Sequence, residues 1–285
     1  MNKFSKRLRK TNALRVIVFI LFLCYALSLI FPLVWGFISS LKEPTEYMLS
    51  EKFFPEIPLF SNYIEAFKLL EANDSNLFTM LFNTVWLSFG RTFISIMVAS
   101  ATAYVIARFE FVGRNFIYNL AIVTMILPIF GNLASTVKIY KALHMYDSPL
   151  ILLASAGGFG LVFLVMHSYY KTIPKEYAEA AQMDGANQYY IYFKIMFPMA
   201  KSSVFSLALV AFIDAWNDYA TSIYYLPSFP TISSGLYTYS TVTEFNLNYP
   251  AYFAGMFLAC IVPLALYIAF QDIIMKGIST GGLKG

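Results

Sequence analysis

A chain of 285 residues that is 59% hydrophobic, only 13% charged and has a mean hydropathy of +0.62 is too apolar for an ordinary water-soluble domain. Its net charge of +4 is small and unevenly placed. That charge reflects orientation in a membrane and is no sign of nucleic-acid binding.

In chain order, apolar runs near the roughly 20 residues needed to cross a bilayer fall at 13–38, 78–107, 116–137, 148–170, 203–227 and 250–275. The expected fold is an all-α membrane protein with six transmembrane helices, which puts both termini on one side. The first run follows a basic start and shows no small-residue cleavage pattern, so it reads as a retained helix. Between the first two runs, 39–77 carries Pro44, Pro55 and Pro58 and a weakly helical piece, Tyr63 to Leu70. It is too small for a core of its own. The segment 228–249 is polar and aromatic and reads as a re-entrant dip or a short interfacial helix. Cys24 and Cys260 both lie inside runs and read as packing residues. His144 and His167 stand apart, so neither a metal site nor a cofactor is expected. There is no Walker-type glycine loop, so this chain is not expected to hydrolyse ATP or to act as an enzyme. The sequence shows no internal repeat of the kind common in one-chain secondary carriers.

Lys and Arg fix the orientation. Lys3, Lys6, Arg7, Arg9, Lys10 and Arg15 precede or enter the first run, and Arg108 and Arg114 join the second to the third. Lys171, Lys175, Lys194 and Lys201 join the fourth to the fifth, and Lys276 and Lys284 follow the sixth. This face is expected to be cytoplasmic, including both termini. The opposite face holds Lys42, Lys52, Lys68, Lys138 and Lys141, and its first loop is acidic overall.

Residues 176–198 form a polar interruption between two apolar runs. Pro174 suits a helix start, and Glu176 and Glu179 fall where acidic groups favour the positive end of the helix dipole. Ala180 and Ala181 leave a strip poor in side chains, over which a partner surface can come close. Gly185 can take the left-handed conformation that ends a helix. Such a helix suits docking in a groove of another protein. The sequence Glu179-Ala180-Ala181, then Gly185, Ile195, Phe197 and Pro198, resembles the cytoplasmic coupling loop of permease subunits of bacterial binding-protein-dependent ABC importers. Phe197 stands where the family pattern has Leu.

The resemblance extends further. Phe82-Asn83-Thr84, Ala103 to Phe109 and Gly113-Arg114 look like the second span of sugar-importer permeases. Ala215-Trp216-Asn217-Asp218-Tyr219 looks like their Trp-Asn-Asp/Glu signature. Gln271, Lys276-Gly277 and Gly281 to Gly285 look like their C-terminal tail. The pattern is nearest the second permease of maltose-type importers. It implies one transmembrane domain over 1–285, with a cytoplasmic N-terminus (1–12), a core permease region (78–277) and a coupling helix between spans four and five (176–198). Glu179, Ala180, Ala181, Asp184 and Gly185 would couple to the ATPase. Gly281, Gly282, Leu283 and Lys284 would reach the ATPase interface. Asn83, Arg91, Asp214, Trp216, Asn217 and Asp218 are polar or aromatic groups inside runs and are candidates for the translocation path. Trp216, Tyr219, Tyr224 and Tyr225 offer the flat faces that sugars pack on, although rings near span ends also form the interfacial belt.

The resemblance implies a permease subunit in a bacterial cell membrane that imports a sugar or oligosaccharide. Its implied partners are a second homologous permease, two nucleotide-binding ATPase subunits, an extracytoplasmic solute-binding protein and membrane lipid, with no nucleic acid. The alternatives are the same architecture for a non-sugar solute and an ion-coupled carrier using Arg91, Asp214 and Asp218.

Overall fold

The computed structural model describes residues 3–69, 75–127, 131–242 and 248–282. The described residues form helices joined by turns, in two compact units. One comprises 1–70 with 240–258, the other 71–239 with 259–285.

In the first unit, α1 (Lys3–Ser40) is followed by the short α2 (Pro44–Leu49) and by α3 (Ser61–Leu69). The end of α1 leaves carbonyls without intrahelical partners. Buried Asn62 supplies them, its Nδ2 donating to Ser40 O at 2.8 Å and Lys42 O at 2.7 Å. The Ser40 hydroxyl lies 3.0 Å from the Tyr63 hydroxyl. Most of α1 is exposed apolar surface from Leu14 to Val34.

The second unit is built on α4 (Leu77–Arg108), which packs mainly on α7 (Leu161–Thr172) and α11 (Lys201–Asn217). Asn76 caps α4, its side chain accepting from Thr79 N at 3.0 Å. Ala99, Ala103 and Ala107 repeat every fourth residue along α4 and are buried. Small residues at that spacing let helices approach closely. They meet Phe163, Met166 and Tyr170 of α7 and Val204 of α11.

The remaining elements are α5 (Arg114–Ile126), α6 (Leu133–Ala142), a 3-10 turn (Pro149–Ser155), α8 (Glu176–Met183), α9 (Gln188–Tyr190), a π turn (Ile191–Met196), α10 (Phe197–Met199), α12 (Tyr219–Tyr225), α13 (Ile232–Val242) and α14 (Tyr249–Gly282).

Among the described residues, three helical stretches are long and apolar enough to cross a membrane: Leu14–Ser40, Leu77–Arg108 and Tyr249–Asp272. They correspond to the first, second and sixth expected spans. A fourth is obtained if Gln188–Met199 and Lys201–Asn217, bent by 79°, count as one. The other expected spans are divided. The run 116–137 is α5 and α6, each shorter than a single crossing requires. The run 148–170 is the 3-10 turn and most of α7, separated at Gly157, Gly158 and Gly160, the last with φ of +127°. The run 203–227 is broken where Asp218 ends α11 and caps α12. The segment 228–249, read as a dip or short helix, contains α13.

Candidate functional site

Two places gather the residues singled out by the sequence. The first is the polar loop after α7. Glu176 and Glu179 both lie in the first turn of α8, which begins one residue after its cap at Lys175. The helix ends in a paired bond pattern: Gly185 N donates to Gln182 O at 2.9 Å and Ala186 N to Ala181 O at 2.9 Å. That closure requires a left-handed residue, and Gly185 supplies it with φ of +84°. Asn187 then caps the next helix, its side chain accepting from Tyr190 N at 2.8 Å.

The loop has two faces. Ala178, Ala181 and Ala186 pack on the unit's own core, together with buried Ile191, Tyr192 and Met196. Glu179, Ala180, Asp184 and Gly185 are exposed, as are Tyr177, Met183, Tyr189 and Tyr190. Of the two alanines, only Ala180 is on the free face. Ala181 has its place because a larger residue there would press on the core. Behind the loop, Tyr192 donates to Ser100 Oγ at 3.0 Å, and Ser100 Oγ lies 2.8 Å from the Tyr170 hydroxyl. Arg108 donates to Ile173 O. The loop is therefore tied to α4 and α7 through buried polar contacts. The π turn and Pro198, which has no N–H, precede the 79° bend at Ala200.

The second place is a cavity of about 550 Å³ in the same unit. Its polar lining is Arg91, Thr92 and Ser95 of α4, Ser155, Asp214 of α11, and Asp218 and Thr221 at the start of α12; Tyr140, Phe159 and Tyr225 add rings. Arg91 Nη1 donates to Asp218 Oδ2 at 2.5 Å. The two side chains are 27% and 22% exposed. The same carboxylate accepts from Thr221 Oγ1 at 2.5 Å and Thr221 N at 3.0 Å, so it caps α12 and holds the arginine together. Asp214 makes no hydrogen bond or ion pair among the described residues. Thr92 Oγ1 is buried and also unpartnered among them. Tyr140 and Tyr225 meet edge to face at 5.0 Å. The site therefore offers one closed charge pair, one free carboxylate and aromatic walls.

The other candidates lie elsewhere. Asn83 is buried, donating to Pro230 O at 3.0 Å and accepting from Trp86 Nε1 at 3.2 Å, which ties α4 to the turn before α13. Trp216 is 2% exposed and donates to Ala259 O at 3.0 Å, so its ring is a core group. Asn217 is exposed and its amide donates to Ile213 O of its own helix at 2.9 Å. Tyr219 stacks on Tyr237 at 4.4 Å. Of the aromatic candidates only Tyr225 reaches the cavity. Gly281 and Gly282 are the last residues of α14, and Leu283 and Lys284 lie outside the described residues. The sequence reading missed Thr92, Ser95, Tyr140, Ser155, Phe159 and Thr221. Only Thr221 carried a signal, as a hydroxyl three residues after Asp218.

The family described as binding-protein-dependent transport system inner membrane component matches residues 95–280. The sulfoquinovosyl glycerol transport system permease protein of Agrobacterium fabrum is 30% identical, with 90% of this chain and 89% of that protein covered. The diacetylchitobiose uptake system permease protein of Streptomyces coelicolor is 25% identical, covering 93% and 87%. Among solved structures, a chain of a bacterial ABC transporter involved in import of the acidic polysaccharide alginate superposes with a TM-score of 0.73. It covers 95% of this chain and 98% of that one at 20% identity, which is a likeness of fold. The chain thus belongs to the family of binding-protein-dependent transport system inner membrane components, and is a transport component rather than an enzyme.

Proposed function

We propose that the chain is a transmembrane permease subunit of an ATP-driven ABC importer, moving a sugar or oligosaccharide handed over by a solute-binding protein. The observation that carries the cargo class is the alignment, over about nine-tenths of the chain, with permeases named for glycosides. The working assembly in this reading adds a second homologous permease and two nucleotide-binding ATPase subunits. The divided runs 116–137, 148–170 and 203–227 act as membrane-crossing segments beside the three long helices, giving six spans in a single transmembrane domain over 1–285. Residues 1–12 are cytoplasmic and 78–277 form the core permease region. Both termini and the 176–198 loop face the cytoplasm, as the Lys and Arg distribution favours.

In this reading α8 is the coupling helix. Its free face, with Glu179, Ala180, Asp184 and Gly185, seats in a cleft of the ATPase subunit, and Ala181 anchors it from behind. The Ser100–Tyr170–Tyr192 contacts support a rigid movement of loop and spans together. The tail residues Gly281, Gly282, Leu283 and Lys284 reach the ATPase interface. The cavity at Arg91, Asp214 and Asp218 lines the translocation path. Asn83 and Trp216 are buried supports of the same unit, and Asn217 lies on the exposed side of α11. Arg91 is already paired by Asp218, which suits a fixed wall better than a proton relay.

The test is a complex reconstituted with its ATPase, partner permease and binding protein. Glu179→Lys and Gly185→Pro should abolish stimulation of ATP hydrolysis by the binding protein while leaving the chain in the membrane. Normal stimulation in both variants defeats the coupling role. Uptake in vesicles with internal ATP held constant should survive an uncoupler. Collapse with the proton gradient would replace the importer with an ion-coupled carrier.

A further inference from the structure

The first unit contains a second cavity of about 550 Å³, at the polar end of α1. Its walls include Trp35 and Ser39 of α1, Tyr47 of α2, Phe53, Tyr249 of α14, and Lys42. Trp35 packs edge-on against Phe253 at 5.2 Å, and Tyr47 stacks on Tyr249 at 5.3 Å. Lys42 is only 6% exposed. Its Nζ donates to Lys52 O at 2.5 Å and makes no ion pair among the described residues. An ammonium carries three N–H donors, and burying one with a single neutral acceptor is costly. Two donors are thus left for something that enters the cavity. The other charged lining groups are Lys52, held by Glu56 at 2.5 Å, and Glu51.

We propose that this cavity binds the phosphate headgroup of an anionic phospholipid on Lys42. The depth of the site identifies the source of the phosphate. Trp35 and Ser39 belong to the apolar stretch Leu14–Ser40, and Tyr249 opens the stretch Tyr249–Asp272. The cavity therefore sits where two membrane-length helices reach their polar ends, the level at which Trp and Tyr meet headgroups. Towards the middle of α1, Leu27 and Phe31 are more than half exposed and share the face of Trp35 at four-residue spacing, with Phe31 stacked on Phe53 of the cavity wall at 6.2 Å, which gives an apolar track for acyl chains. A lysine at that level attracts anionic headgroups. A free anion would use Lys42 and leave the track empty. The proposal is independent of the cargo and of ATP coupling, and needs only that α1 cross the membrane.

The experiment uses the purified whole transporter in a zwitterionic detergent-lipid mixture. Native mass spectra should show retained phosphatidylglycerol, and added dioleoyl phosphatidylglycerol should raise the melting temperature saturably. Dioleoyl phosphatidylcholine and inorganic phosphate should not. Lys42→Gln should weaken the phosphatidylglycerol effect at least about fivefold, and Lys42→Arg should largely keep it. Equal shifts in wild type and Lys42→Gln would overturn the site, and a shift from inorganic phosphate alone would overturn the lipid as its ligand. If Lys42→Gln does not assemble, the wild-type spectra decide: no preference for phosphatidylglycerol over phosphatidylcholine overturns the proposal.

Discussion

The polar loop after α7 and the charged cavity lie in one unit, yet they are made differently. In the loop the decisive contacts are short in sequence: Gly185 to Gln182, Ala186 to Ala181, Tyr190 to Asn187. In the cavity, Arg91 and Asp218 are 127 residues apart. A helix stop made by one glycine is a property of the local chain. A charge pair across α4 and α12 exists only after the helices have packed. The loop should therefore lose function without losing the fold, whereas the residues around the cavity should show their effects first in stability.

The strongest test of that contrast is Trp216→Ala. The ring is buried beside Phe212 at 5.5 Å between centroids. Its removal should cost about 3 kcal/mol or more through the void left behind, read as a lower melting temperature in detergent. Trp216→Phe should recover most of this, losing mainly the bond to Ala259 O, worth about 1 kcal/mol. Next comes Asp218→Ala, which strips Arg91 of its carboxylate and α12 of its cap. The expected cost is about 2 kcal/mol, below the range for fully buried pairs because these side chains remain 27% and 22% exposed. A double variant, Arg91→Leu with Asp218→Leu, should be more stable than Asp218→Ala alone. If it is less stable, the pair contributes more than its desolvation costs.

Gly185 sharpens the other half of the comparison. At φ of +84° a β-carbon is strained, and Gly185→Ala should cost roughly 1 kcal/mol at the loop. Asn tolerates that region better, so Gly185→Asn should retain more binding-protein-stimulated ATPase activity than Gly185→Ala. Neither should lower the melting temperature by more than the equivalent of about 1 kcal/mol, because the strain is confined to the backbone at this residue and no atom lies within 4 Å of the added carbon. An equal loss of activity in the two variants would mean that bulk on the exposed face of the loop matters and the helix stop does not.

The same division governs what the sequence discloses. The start of α8, its stop at Gly185 and the long apolar helices Leu77–Arg108 and Tyr249–Asp272 follow from residue type and spacing, which act locally. The breaks within 116–137, 148–170 and 203–227 are harder to see, because mean hydropathy stays high across a turn whose polar groups are satisfied elsewhere. Asp218 shows this: at the break within 203–227 its carboxylate accepts from Arg91, 127 positions away, at 2.5 Å. Tyr140 and Phe159 join the cavity through such packing, and nothing in their neighbourhood marks them. Ala181 shows the converse. Its residue type was legible, but the face it occupies was set by the core beneath.

The smallest expected effect separates the Trp216-Asn217-Asp218 trio most finely. Three adjacent residues on a helix end point in different directions, so adjacency does not make them one site. Trp216 enters the core, Asp218 turns to Arg91 and the cavity, and Asn217 lies on the exposed side, bonded back to Ile213 O at 2.9 Å. Such a back-bond near a helix end stabilises little, since the carbonyl can find another donor. Asn217→Ala should therefore change the melting temperature by an amount equivalent to less than about 0.5 kcal/mol. Transport by the reconstituted complex should be unaltered. The outcome that would sink this division is a stable Asn217→Ala protein whose transport is lost. The amide would then be meeting a group outside this chain, and the exposed side of α11 would be a contact surface in the working assembly.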